Sequence, residues 1–221
     1  MRSGDSVAGG ALLLEGAGRA GTLLRAWKVS QTLVEIWSGV ATAARALVTV
    51  AQGAKPGIVV ACTRKNVPGT KALAVAAIRA GGATMHRLGL SETLLVFPEH
   101  LVFRPDRDLA ALADELKARV PEKKRIIEVM TVAQGEAAAR AGFDVIQMEK
   151  FVPEGVAELS RALSSMTPRP VLAAAGGITP DNAADYARAG ADVLVTSWPY
   201  TARPADVAVK IAPADPCAEQ N

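Results

Sequence analysis

Apolar residues recur every three or four positions through a long N-terminal segment, from Leu23 to Val48. This spacing places them on one face of an α-helix, and no proline interrupts the segment before Pro56. The pattern therefore predicts one long helix, with Gly39 as a point where it can bend. The preceding residues are rich in glycine, and the short apolar run from Ala11 to Leu14 predicts a strand between loops.

From residue 58 onward, short apolar runs alternate with amphipathic segments. Helices are predicted from about Thr70 to Ala80, near Pro153, and after the capping residues Asp106, Thr131 and Thr179. Because strands that alternate with helices run parallel, the pattern indicates either a doubly wound sheet or a barrel. The six predicted strands are Ile58 to Cys62, Thr93 to Phe97, Arg125 to Val129, Val145 to Glu149, Val171 to Ala175 and Val193 to Ser197.

The length of this alternating region decides between the two architectures. A complete eight-unit barrel needs about 250 residues, and the region has only about 140. The sequence therefore predicts an α/β fold with an open six- or seven-stranded (β/α) barrel. Val207, Val209 and Ile211 have a period of two, which predicts a further strand outside the barrel that pairs with the strand at Ala11 to Leu14.

Composition and charge exclude several classes of protein. The 25 basic and 22 acidic residues are interleaved without a basic block, which argues against a nucleic-acid partner. No apolar run approaches the roughly 18 residues of a membrane helix, and the first residues lack the apolar centre of a signal peptide. Cys62 and Cys217 form no paired motif, which favours a reducing compartment, and we expect a cytoplasmic protein without a membrane partner.

Charged side chains collect where the predicted strands end. In parallel α/β folds the functional site forms at the carboxyl ends of the strands, where loops are free to vary. Taken singly, each of these side chains is compatible with an ordinary ion pair or a surface position. Together they favour a functional site, formed by Thr63, Arg64, Lys65, His86, Arg87, His100, Glu128, Glu149 and Lys150.

Two glycine motifs are candidates for anion binding. Gly176 and Gly177 follow a strand and precede a helix that opens at Pro180, so that backbone N–H groups and the helix dipole are available to a phosphate. The alternative is that these glycines serve only a tight turn. The formal GxGxxG of residues 16–21 is rejected as a dinucleotide site, because the helical pattern after it runs for nearly thirty residues before another strand.

A lyase or aldolase that uses Lys65 or Lys150 as a Schiff-base lysine is a further enzymatic reading. Cys62 lies beside the same site, but no base can be assigned to it, and it is interpreted as a buried strand residue.

The segments WSGVATAARALV and ACTRKNVPGTKALAVAAIRAGGATMHRLGL resemble the quinolinate phosphoribosyltransferase family. In that family a similar SGIAT segment precedes a TRK motif, a proline-glycine turn and a GG-x-x-x-HR-x-GL stretch. Weaker similarity continues through IIEVMT, VIQMEKF, AAAGGIT and VLVTSWP. The resemblance implies a homodimer and a division into part of an N-terminal α/β sandwich (1–50), the barrel (51–200) and a tail that returns to the first domain (201–221). It also implies that the chain begins inside the family's N-terminal domain.

The resemblance further implies a pentosyltransferase. The family transfers phosphoribosyl from phosphoribosyl pyrophosphate to quinolinate with Mg²⁺, giving nicotinate mononucleotide, pyrophosphate and carbon dioxide. By this resemblance, Arg64, His86 and Arg87 hold the carboxylates of the acceptor, and Lys28 reaches in from the other subunit. The remaining roles fall to Lys65 on the phosphate-bearing substrate, Glu128 and Glu149 at the ribose and Mg²⁺, Thr63 and Lys150 at the substrate, and Ala175, Gly176, Gly177, Ser197, Trp198 and Pro199 at phosphate.

The chain also departs from the family pattern. These departures remove a cation and a hydroxyl group from the phosphate side of the site, which indicates that the substrate differs from quinolinate or binds differently. They are typical of the branch whose genes lie beside molybdate-transport genes. A non-catalytic anion- or metabolite-binding protein on the same fold is the alternative reading. The departures are Lys28 for arginine, Phe97 for lysine, Glu149 for aspartate, Lys150 for asparagine, Ala175 for serine and Ser197 for glycine.

Overall fold

The computed structural model of the chain describes residues 1–104 and 108–213. Within these ranges, seven parallel strands form one curled sheet in the order β2-β1-β7-β6-β5-β4-β3. Strands β2 and β3 are its two edges and do not pair with each other, so the structure confirms the open barrel. The strands are β1 (Val59–Cys62), β2 (Thr84–Met85), β3 (Leu94–Val96), β4 (Arg125–Val129), β5 (Val145–Glu149), β6 (Val171–Ala175) and β7 (Val193–Thr196).

Helices connect the strands and cover the outer face of the sheet. They are α1 (Ala20–Ala54), α2 (Lys71–Ala80), α3 (Pro98–Leu101), α4 (Leu109–Arg119), α5 (Val132–Arg140), α6 (Pro153–Ala162) and α7 (Pro180–Arg188), followed by a 3-10 turn at Trp198–Thr201. Thr131 and Thr179 are N-caps as predicted. Asp108 caps α4 by accepting hydrogen bonds from Ala110 and Ala111, and the predicted cap, Asp106, lies outside the described residues.

Helix α1 packs its C-terminal half into the core, where Ala44, Leu47 and Ala51 are fully buried. Its N-terminal half is largely exposed, including Leu24 and Val29. By length and mean hydropathy α1 passes a test for a membrane-spanning helix, although it contains no uninterrupted apolar run of about 18 residues. A core helix of a soluble protein passes the same test, and α1 packs against α2 and α7.

The two predicted outer strands do not form within the described ranges. Residues 11–14 and 207–211 have no regular structure. The tail instead lies along α1, where Gln31 Nε2 donates to the carbonyl of Val207 at 2.6 Å and Ala205 N–H donates to the carbonyl of Glu35 at 2.8 Å. A period of two was insufficient evidence for a strand here, because α1 supplies these hydrogen bonds in place of a neighbouring strand. The division into domains stays a prediction.

Alternate residues of the strands face opposite sides of the sheet. On β6, Leu172 and Ala174 belong to the main core that packs against the helices. Ala173 and Ala175 belong to a separate small cluster with Val195 on the inner face of the barrel. Because residues in register share a face, the pairing of β4, β5 and β6 places Glu128, Gln147 and Glu149 on this inner face as well.

At Gly39 the backbone of the tail packs closely against α1. A Cβ there would collide with the carbonyl oxygen of Arg203. We expect Gly39→Ala to lower the free energy of unfolding by about 1–3 kcal/mol through overpacking. Gly53→Ala, at a site in α1 where a Cβ meets no atom within 4 Å, should raise it by about 0.5–1 kcal/mol. Urea denaturation measures both, and a stabilising Gly39→Ala would show that the tail does not pack here.

Candidate active site

The first part of the candidate site is a cationic cluster at the ends of β1 and β2. These strands are neighbours, and their pairing extends beyond the strands because His86 N–H donates to the carbonyl of Cys62 at 2.8 Å. His86 and Arg87 follow β2, and Arg64 follows β1. Arg87 is buried, with 8% of its surface exposed, and Arg64 is exposed.

The charges in this cluster act on one another. Burial lowers the pKa of His86 below its ordinary value, and the positive charges of Arg87 and Arg64 lower it further. The pKa of Arg87 is lowered by burial and by Arg64. In the part of the chain that the structure describes, no ion pair joins Arg64 or Arg87 to a carboxylate. The cluster is therefore suited to an anionic ligand.

The second part is a pair of carboxylates on β4 and β5. Glu128 accepts a hydrogen bond from Gln147 Nε2 at 2.8 Å. Burial raises the pKa of Glu128 and the Gln147 hydrogen bond opposes this, while Glu149 and Glu99 raise it and Lys65 lowers it. The structure thus brings Lys65 and Glu149 within electrostatic range of Glu128.

The third part is the glycine turn after β6. Gly176 and Gly177 have φ angles of +89° and +75°, in the region that favours glycine. Lys150 N–H donates to the carbonyl of Ala175 at 2.7 Å, which joins this turn to the end of β5. Asn182 Nδ2 donates to the carbonyl of Gly177 at 2.9 Å, which joins the turn to α7. These contacts fix the turn at the N-terminus of α7, where an anion is stabilised.

The loop after β7 lies between the glycine turn and the loop after β1. Thr196 Oγ1 donates to the carbonyl of Ile178 at 2.8 Å and accepts from Trp198 N–H at 3.0 Å. Tyr200 OH donates to the carbonyl of Thr63 at 2.9 Å, and burial raises the pKa of Tyr200 to about 12. These bonds hold Ser197, Trp198 and Pro199, the last of them buried, beside the predicted phosphate turn.

Not every predicted residue lies at this edge of the sheet. Lys28 is on the exposed half of α1, where its Nζ donates to Gln31 at 3.1 Å and lies 4.5 Å from the centre of the Trp27 ring. Within its own chain it is therefore engaged away from the strand ends. Cys62 is fully buried and its pKa is raised to about 12 by burial, so its thiol is not ionised near neutral pH.

Three residues near the site were missed from the sequence. Glu99 lies on α3, a four-residue helix that the sequence did not predict. Gln147 is a polar residue inside the apolar run VIQMEKF, which was a detectable signal. Tyr200 lies on the 3-10 turn after β7, and nothing in the sequence connected it to the loop after β1.

The carboxylate pair alone does not make a metal cage. Within residues 1–104 and 108–213, no group of three or more His, Cys, Asp or Glu side chains could hold a metal ion. Mg²⁺, however, is commonly bound by one or two carboxylates together with substrate phosphates and water. Glu128 and Glu149 therefore fit a Mg²⁺ ion that arrives with a phosphorylated substrate.

Comparison with known proteins places this chain in a wider group. Residues 40–210 match the family described as quinolinate phosphoribosyl transferase, C-terminal domain. The ModD protein of Rhodobacter capsulatus is 48% identical over 188 residues, which are 85% of this chain and 72% of that protein. A protein of Archaeoglobus fulgidus named as a probable carboxylating nicotinate-nucleotide pyrophosphorylase is 28% identical over 206 residues, 92% of this chain and 78% of that protein.

A solved structure gives the same fold. NadC from Streptococcus pyogenes superposes with a TM-score of 0.83 at 25% identity, over 93% of this chain and 70% of that chain. These similarities confirm the family resemblance that the sequence motifs indicated.

The two glycines of the phosphate turn should respond differently to substitution. A Cβ on Gly176 would lie 2.7 Å from Lys150 Cγ and 3.1 Å from Glu149 Oε1, whereas one on Gly177 meets nothing within 4 Å. Both substitutions strain a positive φ, which costs about 1–2 kcal/mol. We expect Gly176→Ala to lower the free energy of unfolding by about 1–2 kcal/mol more than Gly177→Ala, because Lys150 and Glu149 must also move. Equal losses in urea denaturation would contradict the close packing at Gly176.

The stability of the fold should depend on the protonation of His86. Its folded-state pKa lies below the ordinary value of 6.5, so the unfolded chain binds the proton first as pH falls. The associated stability is present above about pH 6.5 and is lost as pH falls through that value. We expect the free energy of unfolding of the unsubstituted protein to fall more steeply between about pH 7.5 and 5.5 than that of His86→Gln. Parallel curves would show that His86 titrates normally.

Proposed function

Because this chain belongs to the quinolinate phosphoribosyl transferase family, we propose that it transfers a phosphoribosyl group from phosphoribosyl pyrophosphate to a carboxylated acceptor. The supporting observation is that three groups lie at one edge of the sheet: a cationic cluster without a carboxylate partner among the described residues, a carboxylate pair, and a glycine turn at the N-terminus of α7. Each part matches a different portion of the two substrates.

The cationic cluster is assigned to the acceptor. The planar guanidinium groups of Arg64 and Arg87 bind carboxylates through two parallel hydrogen bonds. His86, kept neutral by its surroundings, contributes a hydrogen bond without adding charge. In the homodimer that we propose, Lys28 of the partner subunit completes this pocket.

The phosphate groups are assigned to the turns after β6 and β7. The backbone of Ala175, Gly176 and Gly177 and the N-terminus of α7 face one anion, with the turn of residues 197–199 beside them. Lys65 supplies a positive charge near the carboxylates, and Thr63 and Lys150 border the substrate.

The reaction breaks the bond between the ribose anomeric carbon and pyrophosphate and forms a bond from that carbon to the acceptor. Positive charge develops on the sugar as the leaving group departs, and carboxylates placed beside it stabilise this charge. Glu128 and Glu149 have this role, and Lys65 stabilises the negative charge of the departing pyrophosphate. Glu128 and Glu149 would hold Mg²⁺ together with the substrate phosphates, and the ion would supply further neutralisation of that charge.

The departures from the family pattern concern the identity of the substrates. Phe97 stands where the family has a lysine, and its ring lies 5.7 Å from His100 on α3. Ala175, in place of a serine, lies on the inner face of the barrel beside Glu149. By the resemblance both changes fall on the phosphate side of the site, so we propose that a substrate of this chain differs from those of the family or binds differently. A connection with molybdenum is indicated only by the name of the ModD relatives. We propose a soluble enzyme of the cytoplasm.

Calorimetric titration with phosphoribosyl pyrophosphate and Mg²⁺ tests the proposal. We expect saturable binding that is lost in the Lys65→Ala, Glu128→Ala double variant, because the variant removes one cation and one carboxylate from the site. The matched control is Lys117→Ala, Glu122→Ala, which removes the same charges from exposed positions before β4, at the opposite end of the sheet. This control should bind like the unsubstituted protein.

Two other outcomes would decide against the proposal. Absence of binding by the folded, unsubstituted protein would remove phosphoribosyl pyrophosphate as its ligand. Binding without release of pyrophosphate, across a panel of carboxylated heteroaromatic acceptors, would favour the non-catalytic binding protein.

A further inference from the structure

Gln147 is a polar residue at the centre of a buried strand. Only 5% of its surface is exposed, although its neighbours along β5, Ile146 and Met148, are fully buried apolar residues. Its partners in register are Glu128 on β4 and Ala173 on β6, so its side chain lies on the inner face of the barrel. Central strands of a parallel sheet are usually apolar throughout, and a glutamine here is a departure that needs a physical cause.

Of the two polar atoms of the Gln147 amide, only the nitrogen makes a hydrogen bond to the described residues. Its Nε2 donates to Glu128 Oε2 at 2.8 Å. Its Oε1 is buried, and no donor from the described residues reaches it. A buried carbonyl without a donor is less stable than an apolar group of the same shape, so methionine would satisfy the fold better.

The contact with Glu128 also fixes the direction of the amide. A carboxylate accepts hydrogen bonds, so the NH₂ group must face Glu128 and the oxygen must face away from it. On that side, Ala173 and Ala175 of β6 have no polar side-chain atoms. The inner face of the barrel therefore offers Gln147 Oε1 as an acceptor for a group that the chain does not supply.

We infer that Gln147 is a specificity-determining residue whose Oε1 accepts a hydrogen bond from a hydroxyl group of the bound ribose. This inference rests on the proposed function. Phosphates and carboxylates present acceptors at neutral pH, so the ribose hydroxyls are the donors that phosphoribosyl pyrophosphate brings. A sugar held between Glu128 and Glu149 lies next to Gln147, because these three residues share one face of two paired strands.

A double-mutant cycle between protein and ligand tests this contact. The proteins are the unsubstituted chain and Gln147→Met, and the ligands are phosphoribosyl pyrophosphate and its 2-deoxy and 3-deoxy analogues, each titrated calorimetrically with Mg²⁺. We expect one deoxy analogue to bind the unsubstituted protein about five- to tenfold more weakly. Gln147→Met should weaken binding of the full substrate by a similar factor. The same analogue should bind Gln147→Met no more weakly than the full substrate does.

Controls separate the contact from a general change in the strand. Met148→Leu, on the helix-packed face of the same strand, should leave all three affinities unchanged. If Gln147→Met does not fold, Gln147→Asn, which withdraws the amide by one methylene, should show the same loss of discrimination. Deoxy analogues that lose equal affinity in the unsubstituted and variant proteins would overturn the inference while leaving the proposed function standing. Failure of the unsubstituted protein to bind the full substrate would instead reject the proposed function.

Discussion

The register of β4, β5 and β6 is the constraint on which the candidate site depends. It aligns Glu128 with Gln147, and Glu149 with Ala175, on the inner face of the barrel. The alternate residues, such as Ile146 and Met148, are buried against the helices. A shift of one residue in this register would exchange the two faces of a strand and bury its carboxylates against the helices. Because burying a carboxylate there is unfavourable, the apolar residues determine the positions of the polar ones. The packing of the helices against one face of the sheet thus positions Glu128, Gln147 and Glu149 on the other face.

The cationic cluster, unlike the buried apolar faces of the strands, lowers the stability of the folded state. Arg87 is buried near Arg64 and His86, and the pKa values of Arg87 and His86 are both lowered by burial and by like charge. Such a group of charges disfavours the folded state until an anion neutralises it. Elsewhere a partly buried charge has partners of opposite sign. Asp192 accepts hydrogen bonds from Lys55 and Arg169, and these contacts lower the pKa of Asp192 although its burial acts in the opposite direction. The cationic cluster has no such carboxylate partner among the described residues, and this contrast supports the proposed anionic ligand.

The sequence predicted the bounds of the longer strands and helices best. The bounds of β4, β5 and β6 agree with the predicted runs, because five consecutive residues with a buried face leave a clear pattern. Strand β2 has two residues and α3 has four, which is too short for either period to appear, and Glu99 was missed with α3. The tail was wrongly predicted as a strand because periodicity reports which residues are apolar and not which backbone they bond to. Charged residues at strand ends were found by position alone, whereas Gln147 was missed because an apolar run was read only as core.

Lys150 connects the glycine turn to the strand that carries Glu149. Lys150 is the only residue other than glycine with a positive φ, +55°, within the described ranges, and this conformation directs its N–H to Ala175. Its Cγ occupies the space that a Cβ on Gly176 would need. The family's usual asparagine tolerates this backbone conformation more readily than lysine, so the lysine carries a strain of about 1 kcal/mol that asparagine would relieve. Strain of this kind persists at sites where the side chain contributes to binding, and here it places a cation beside Glu149 and the phosphate turn.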